Sequence, residues 1–351
     1  MEADIVQMQG DKLYALSAYG GLSVVDASNP DALSILGKWR MTGMPSEMYY
    51  RDGVILAMYE SFYHIEYNEA AKNYEWVGSS RVVALDVNNP SDIKQLGAFD
   101  IPGSVSDTRI VGDAMYVVSH ESGYCWRCST TPRTTVTSLN VANPKAIRQT
   151  AQLAYDNKKD GYSWSRSISV NQDRIYISGP EWGSWDGKHT NSSTIQVVDI
   201  KDPTGKLVQG ASIPVKGQIE SRWQMDESQN VLRVISQPAP WNNTGSPIVQ
   251  TFQIESSQKI NPLGELTMTI PAGERLKSVR FDGTRGYAVT FVQTDPLFVI
   301  DLVDPAKPKQ VGELQMPGFL YYMEPRGDRM IALGRDNGNT NGGLTVSVFD
   351  V

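Results

Sequence analysis

The residues able to do chemistry are few and scattered. The 351-residue chain holds three histidines, His64, His120 and His189, and two cysteines, Cys125 and Cys128. No G-x-S-x-G elbow, H-E-x-x-H pair, Walker loop or dinucleotide glycine motif occurs, so no nucleophile, zinc hydrolase or nucleotide site can be read from local spacing. The cysteines are spaced C-W-R-C and followed by Ser129, which excludes a haem-attachment motif. With no second thiol pair, the spacing leaves a loop-closing disulfide, free thiols, or metal or redox work open. Asp336 begins an Asp/Asn/Gly run that presents oxygens at alternate positions but lacks the distal Glu of a Ca²⁺ loop; a turn is expected there, with Ca²⁺ the lesser reading, and no metal or other cofactor is expected elsewhere. The remaining chemistry is charge: Glu47, Asp107, Arg109, Arg166, Glu220, Arg222, Glu274, Arg275 and Lys277 recur at matching points along the chain.

A repeat positions those charges. An apolar strand ending in Asp, a polar Pro-containing corner and a second strand reaching Gly recur as VVDASNPDALSILG (24–37), ALDVNNPSDIKQLG (84–97) and VIDLVDPAKPKQVG (299–312). Variants stand at 138–151, 197–210 and 251–264, and VSVFDV (346–351) opens a seventh copy. Helical periodicity is absent over long windows. A period of roughly 40–60 residues made only of strands and turns points to a β-propeller. The expected fold is all-β: a single domain, 1–351, of seven four-stranded antiparallel blades, the last lacking its outer strand. The blades fall at about 1–42, 43–102, 103–156, 157–215, 216–270, 271–317 and 318–351. With strands lettered A to D in each blade, the repeat is the C–D unit. Its corner residues Asp26, Asp86, Asp199 and Asp301 read as turn caps that accept backbone N–H groups.

The A strands should line a central channel. They are expected to begin near Ala3, Glu47, Asp107, Arg166, Ser221, Lys277 and Tyr321, which brings the recurring charges to one channel mouth. Charges on inner strands require partners or water, so this mouth reads as a ring of salt bridges or as a polar ligand site centred on Arg109, Arg166, Glu220, Arg222 and Lys277. The B–C connections open on the same face and vary most in length. Blade two inserts about Glu60–Ser79, and aromatics concentrate in these insertions, with Trp126, Trp182, Trp185 and Trp241 as candidate ligand contacts.

The net charge of −7 and pI near 5.1 disfavour nucleic acid or an anionic membrane as partner. No apolar run approaches the roughly 20 residues of a membrane-spanning helix, so no membrane insertion is expected. The chain carries no signal peptide: Met1 enters the first strand directly, and Val351 ends a blade still short of a strand, the pattern of a segment from a longer protein.

EADIVQMQGDKLYAL (2–16), YAVTFVQTDPLFVIDLVDPAKPKQVGELQMPGF (287–319) and LTVSVFDV (344–351) resemble the bacterial secreted-protein family with a C-terminal β-propeller distantly related to WD repeats, its myxobacterial members above all. The resemblance implies a parent protein that is secreted or on the cell surface. In that compartment a Cys125–Cys128 disulfide is the expected state. It implies no catalytic residues.

The sequence therefore points to a non-catalytic binding or scaffold propeller, monomeric, that recognises a protein, peptide or glycan through its aromatic B–C face and channel mouth. A hydrolase or lyase assembled at that mouth from residues such as His120, Glu220 and Arg222 is one alternative. A purely structural support domain is the other.

Overall fold

Alternating Val, Ile, Leu and Tyr, broken every few residues by Gly-Asp, Asp-Gly or Asn-Pro, leave the chain nothing to form but short antiparallel strands. The computed structural model describes residues 5–69, 72–121, 124–125, 128–129, 133–156, 167–180, 192–238, 245–291, 295–316, 319–335 and 343–351. It is a seven-bladed β-propeller in which six blades have four strands and the last has three.

The chain divides into two compact units, Met1–Ser165 with Ile200–Val208, and Arg166–Asp199 with Gln209–Val351. The first holds blade one (Val6–Gln9, Lys12–Ser17, Gly21–Asp26, Ser34–Trp39), blade two (Met44–Arg51, Val54–Asn68, Asn73–Asp86, Lys94–Pro102) and blade three (Ser104–Val111, Ala114–Glu121, Arg133–Asn140, Arg148–Asp156). Its core includes two apolar layers. One includes Leu22, Val24, Met48 and Ile55; the other includes Tyr49, Met58, Met115 and Val117.

The second unit holds blade four (Ser167–Val170, Arg174–Pro180, Ser192–Asp199, Val208–Lys216) and blade five (Met225–Ser228, Val231–Ser236, Ile248–Ser256, Lys259–Thr267). Blade six (Arg275–Asp282, Arg285–Phe291, Asp295–Asp301, Lys309–Met316) and blade seven (Phe319–Arg326, Arg329–Arg335, Leu344–Asp350) complete it. Its layers include Ile195, Leu232 and Phe252; Ile235, Val249 and Phe298; and Tyr287, Met323 and Met330.

The corner aspartates are turn caps. Asp26 accepts from Ser28 N at 3.0 Å, Asp86 from Asn88 N at 3.0 Å and Asp301 from Val303 N at 2.9 Å. The Asn88 N–H, with help from its side chain, holds the Asp86 carboxyl below the usual carboxylate range. Asp199 also accepts from Ser257 Oγ at 2.6 Å, and Asp202 caps the same corner through Thr204 N at 2.9 Å.

In blades one, two, four and five the glycine that closes the repeat makes a contact between blades. A Cβ on Gly37, Gly97 or Gly264 would overlap the carbonyl of Pro90, Pro144 or Pro305, the corner proline of the following blade. Gly210 stands likewise against the Ser257 carbonyl, which also accepts from Ala211 N at 2.8 Å. Blade three carries Ala151 at this place, and there the small residue has moved to the next corner: a Cβ on Gly205 would lie 2.6 Å from Ser138 Oγ. Ser138 is the cross-strand partner of Ala151.

The A strands share a second device. In blades two, three, six and seven the A–B register shifts by one residue, leaving Ser46, Ser106, Lys277 and Tyr321 without a cross-strand partner. A bulge at this point twists the inner strand and turns its first residues away from the ladder.

Two expectations are corrected here. The blade-two insertion is not a loop, because residues 62–68 and 73–79 continue the B and C strands as a paired ladder. Glu220 and Arg222 do not begin the blade-five A strand; they precede it, with Arg222 inside a short 3₁₀ turn, Arg222–Gln224.

Gly264→Ala should lower stability by about 1–3 kcal/mol, the cost of overpacking a close backbone contact. Gly312→Ala, whose Cβ would meet only the Val299 side chain at 3.6 Å, should stay within about 1 kcal/mol of wild type. Denaturant midpoints of the two variants check this.

Candidate functional site

In the first unit, the inner-strand charges are tied into the structure. Thr108 Oγ1 donates to Glu47 and shares a 2.9 Å hydrogen bond with Tyr49 OH. Burial first, and then the Glu47 carboxylate, push the Tyr49 phenol well above its usual range. Gln7 clips blade one to blade two, donating to Met48 O at 3.0 Å and accepting from Tyr50 N at 2.9 Å. These groups lock neighbouring A strands together.

The second unit contains a different arrangement. Ser221-Arg222-Trp223-Gln224 is a capping box: Ser221 Oγ accepts from Trp223 N at 3.3 Å, and Gln224 Oε1 accepts from Glu220 N at 2.8 Å and Ser221 N at 2.9 Å. The buried Gln224 also donates to Ile235 O at 2.9 Å, which fixes the turn to the B strand. This turn presents Trp223 to two guanidinium groups, Arg280 at 3.8 Å and Arg222 at 4.7 Å from the indole centroid. Tyr322, from the blade-seven A strand, adds a second ring 5.1 Å from Arg280. Desolvation lowers the affinity of the Arg280 guanidinium for its proton. Tyr322 OH donates to Glu324, whose other oxygen lies 3.4 Å from Arg326.

A buried ion pair near the A–B hairpins of the same unit is structural. Arg174 Nη1 meets Glu227 at 2.8 Å, and Asn171 Nδ2 and Tyr176 OH donate to the other Glu227 oxygen. Removing one partner would strand a buried charge.

The blade-two hairpin is the other prominent feature. Its B and C strands run 15 and 14 residues, against 6–8 for every other B strand. Tyr67 and Tyr74 pair across it edge to face at 5.1 Å; Tyr74 is 74% exposed, and Ile65 is exposed on the same strand as Tyr67. At its base the fully buried Tyr59 packs on Trp39 at 6.1 Å.

The description that fits this chain by sequence is Beta propeller domain, whose family model matches residues 1–153 and 124–351. The chain belongs to the beta propeller domain family. Two curated relatives are archaeal and themselves uncharacterized. One, from Methanocaldococcus jannaschii, is 36% identical over 138 residues, 39% of this chain and 21% of that protein. The other, from Archaeoglobus fulgidus, is 33% identical over 171 residues, 48% of this chain and 25% of that protein. The matched part thus spans only a fifth to a quarter of the relatives' length. Saccharomyces cerevisiae Sqt1 is similar in structure, with a TM-score of 0.51 and 8% identity over 95% of this chain and 80% of its own, a likeness of fold alone. The Swd1 (Cps50) beta-propeller domain of Myceliophteria thermophila has a TM-score of 0.46 at 11% identity, over 100% of this chain and 97% of its own.

This beta propeller places the sequence-derived site residues unevenly. Arg109 is half-buried on the blade-three A strand, and Glu220 is exposed beside the 3₁₀ turn that carries Arg222. Lys277 is the exposed bulge residue of blade six, 5.9 Å from the Phe291 ring. Arg166, Trp126, Trp182, Trp185, Trp241 and Asp336 lie outside the described residues. Cys125 and Cys128 are directly opposed in a two-residue ladder. Among the described residues, no group of three His, Cys, Asp or Glu could hold a metal. Among the described mouth residues, only Arg222 belongs to the aromatic–guanidinium cluster. Trp223, Arg280 and Tyr322 escaped sequence reasoning, although Arg280 stands three residues before its turn glycine as Arg109 does.

Burial pushes the Tyr59 phenol up to about 12. A group whose folded-state pKa exceeds its unfolded value gives its stability below the unfolded pKa, near 10, and loses it as pH rises through the folded value. Tyr59→Phe should therefore match wild type near pH 7 and lose less stability between pH 10 and 12, as followed by urea unfolding at each pH.

Proposed function

We propose that this propeller is a non-catalytic binding scaffold of an exported protein, and that its partner is a protein or peptide. The observation carrying this reading is the long blade-two hairpin. Two tyrosines and an isoleucine kept in solvent on one hairpin have no role in the core. Tyr side chains give large contact area at low entropic cost and are enriched where binding energy concentrates. Exposed Ile65 extends the surface of Tyr67 and Tyr74 with aliphatic area, which favours a protein over a glycan.

Export is supported by the cysteine ladder. Cα partners on a short antiparallel hairpin are near enough for a disulfide, which persists only in an oxidising compartment. The channel mouth, with Arg222 and Lys277, adds a second contact region in this reading.

A photo-cross-linking residue at Tyr67 should capture a discrete protein partner in the producing cell, while the same residue at Lys94 should not. Capture from neither position, or equally from both, overturns the reading. Joint replacement of Tyr67 and Tyr74 by Ala should weaken the captured partner by at least about tenfold. Protein recovered from the native compartment should resist alkylation at Cys125 and Cys128 until reduced, as mass spectrometry would record.

A further inference from the structure

We propose that Arg280 is the centre of a carboxylate-binding site for an acidic peptide, with Arg222 as a second cation and Trp223 and Tyr322 as its walls. The proposal deepens the binding-scaffold reading and rests on it, but it stands on different residues from the hairpin.

Arg280 is only 8% exposed. A guanidinium taken out of water needs a counter-charge or a full set of acceptors. Among the described residues no carboxylate is hydrogen-bonded to it: its one hydrogen bond runs to Val279 O at 2.7 Å, and the Trp223 and Tyr322 rings lie against it. Glu324 is the nearest carboxylate to influence it, and both Glu324 oxygens are engaged, by Tyr322 OH and by Arg326. By contrast, the equally buried Arg174 and Arg233 in the same unit have carboxylate partners, Glu227 and Asp226.

The geometry selects the ligand. Rings against the guanidinium faces leave its in-plane N–H groups as donors, and these fit a planar, two-oxygen acceptor. Trp223 is 37% exposed and Tyr322 39%, so the rim is open to solvent and offers apolar surface to residues flanking a carboxylate. Arg222 lies over the same indole. Glu220, Glu324 and the net charge of −7 oppose a polyphosphate chain, so a single carboxylate on a peptide is the better match.

The test is fluorescence anisotropy with a labelled, end-blocked hexapeptide carrying two glutamates between leucines. The controls are its glutamine counterpart, the glutamine peptide with a free C-terminal carboxylate, and inorganic phosphate as competitor. Saturable binding of the acidic peptide is expected, weakened at least about tenfold by the glutamine exchange and by Arg280→Gln. Arg280→Lys should weaken it too, because a point charge lacks the guanidinium fork. Recovery of binding by the free C-terminal carboxylate supports the site and assigns the source to a chain end. Equal binding of the blocked glutamine peptide, wild-type affinity in Arg280→Gln, or binding of phosphate without peptide overturns it. If Arg280→Gln loses its cooperative melt, Arg222→Gln on the exposed turn decides, with a loss of at least about fivefold expected and no loss overturning the site. Cross-linking from Tyr67 is independent of these outcomes, so failure of this site and failure of the scaffold reading are told apart.

Discussion

In blades one, two, four and five the D-strand glycine and the corner carbonyl of the next blade touch backbone to backbone, and much of the architecture depends on that contact. Pro90, Pro144 and Pro305 can approach Gly37, Gly97 and Gly264 only because no Cβ intervenes. The corner itself is held in shape by its Asp cap and by a proline that has no N–H to leave unpaired. Apolar layers then supply the bulk of the stabilisation, but they do not discriminate one sliding position of a sheet from another. The glycine contact does, because a shift of one residue would bring a side chain against a carbonyl.

With register fixed at the outer strands, the inner strands are free to carry polar groups. The two units use that freedom differently. In the first, Glu47, Thr108 and Tyr49 are joined by hydrogen bonds, and Gln7 joins backbones. In the second, Arg280 is paired with aromatic faces instead of a carboxylate. Buried cations of the same unit that serve the fold, Arg174 and Arg233, show what a structural guanidinium looks like here: each has an acid within reach. Arg280 lacks that mark, which separates recognition from scaffolding within one set of strands.

The C–D repeat made the fold legible because its signals are local: an Asp cap, a proline and a glycine within fourteen residues. What those residues touch was not legible, since Gly264 meets Pro305 only when two blades stack. The site was harder. Ser221 and Gln224 spell a capping box, a local signal that could have located Trp223. Arg280 repeats the position of Arg109, but its lack of an acid partner is a three-dimensional fact. In the blade-two insertion the charged and Asn-rich stretch around 68–73 resembles a loop, while Ile65, Tyr67 and Tyr74 carry the alternation of a strand pair. Choosing aromatics by their place in long loops favoured Trp182 and Trp185 over Trp223, which sits on a turn of three residues.

The exchange between Ala151 and Gly205 bears on how such a ring could have been assembled. Blades that all carry the glycine on the D strand could be duplicated or deleted by recombination, and each new junction would still fit. The junction after blade three breaks that interchangeability, because its small residue sits on the following corner instead. Ala151 and Gly205 are thus matched to each other within the first unit, and a crossover that separated them would set an alanine methyl against a corner carbonyl that elsewhere meets a glycine. A single methyl group, moved from one side of a junction to the other, turns a modular array into one with a fixed neighbour order.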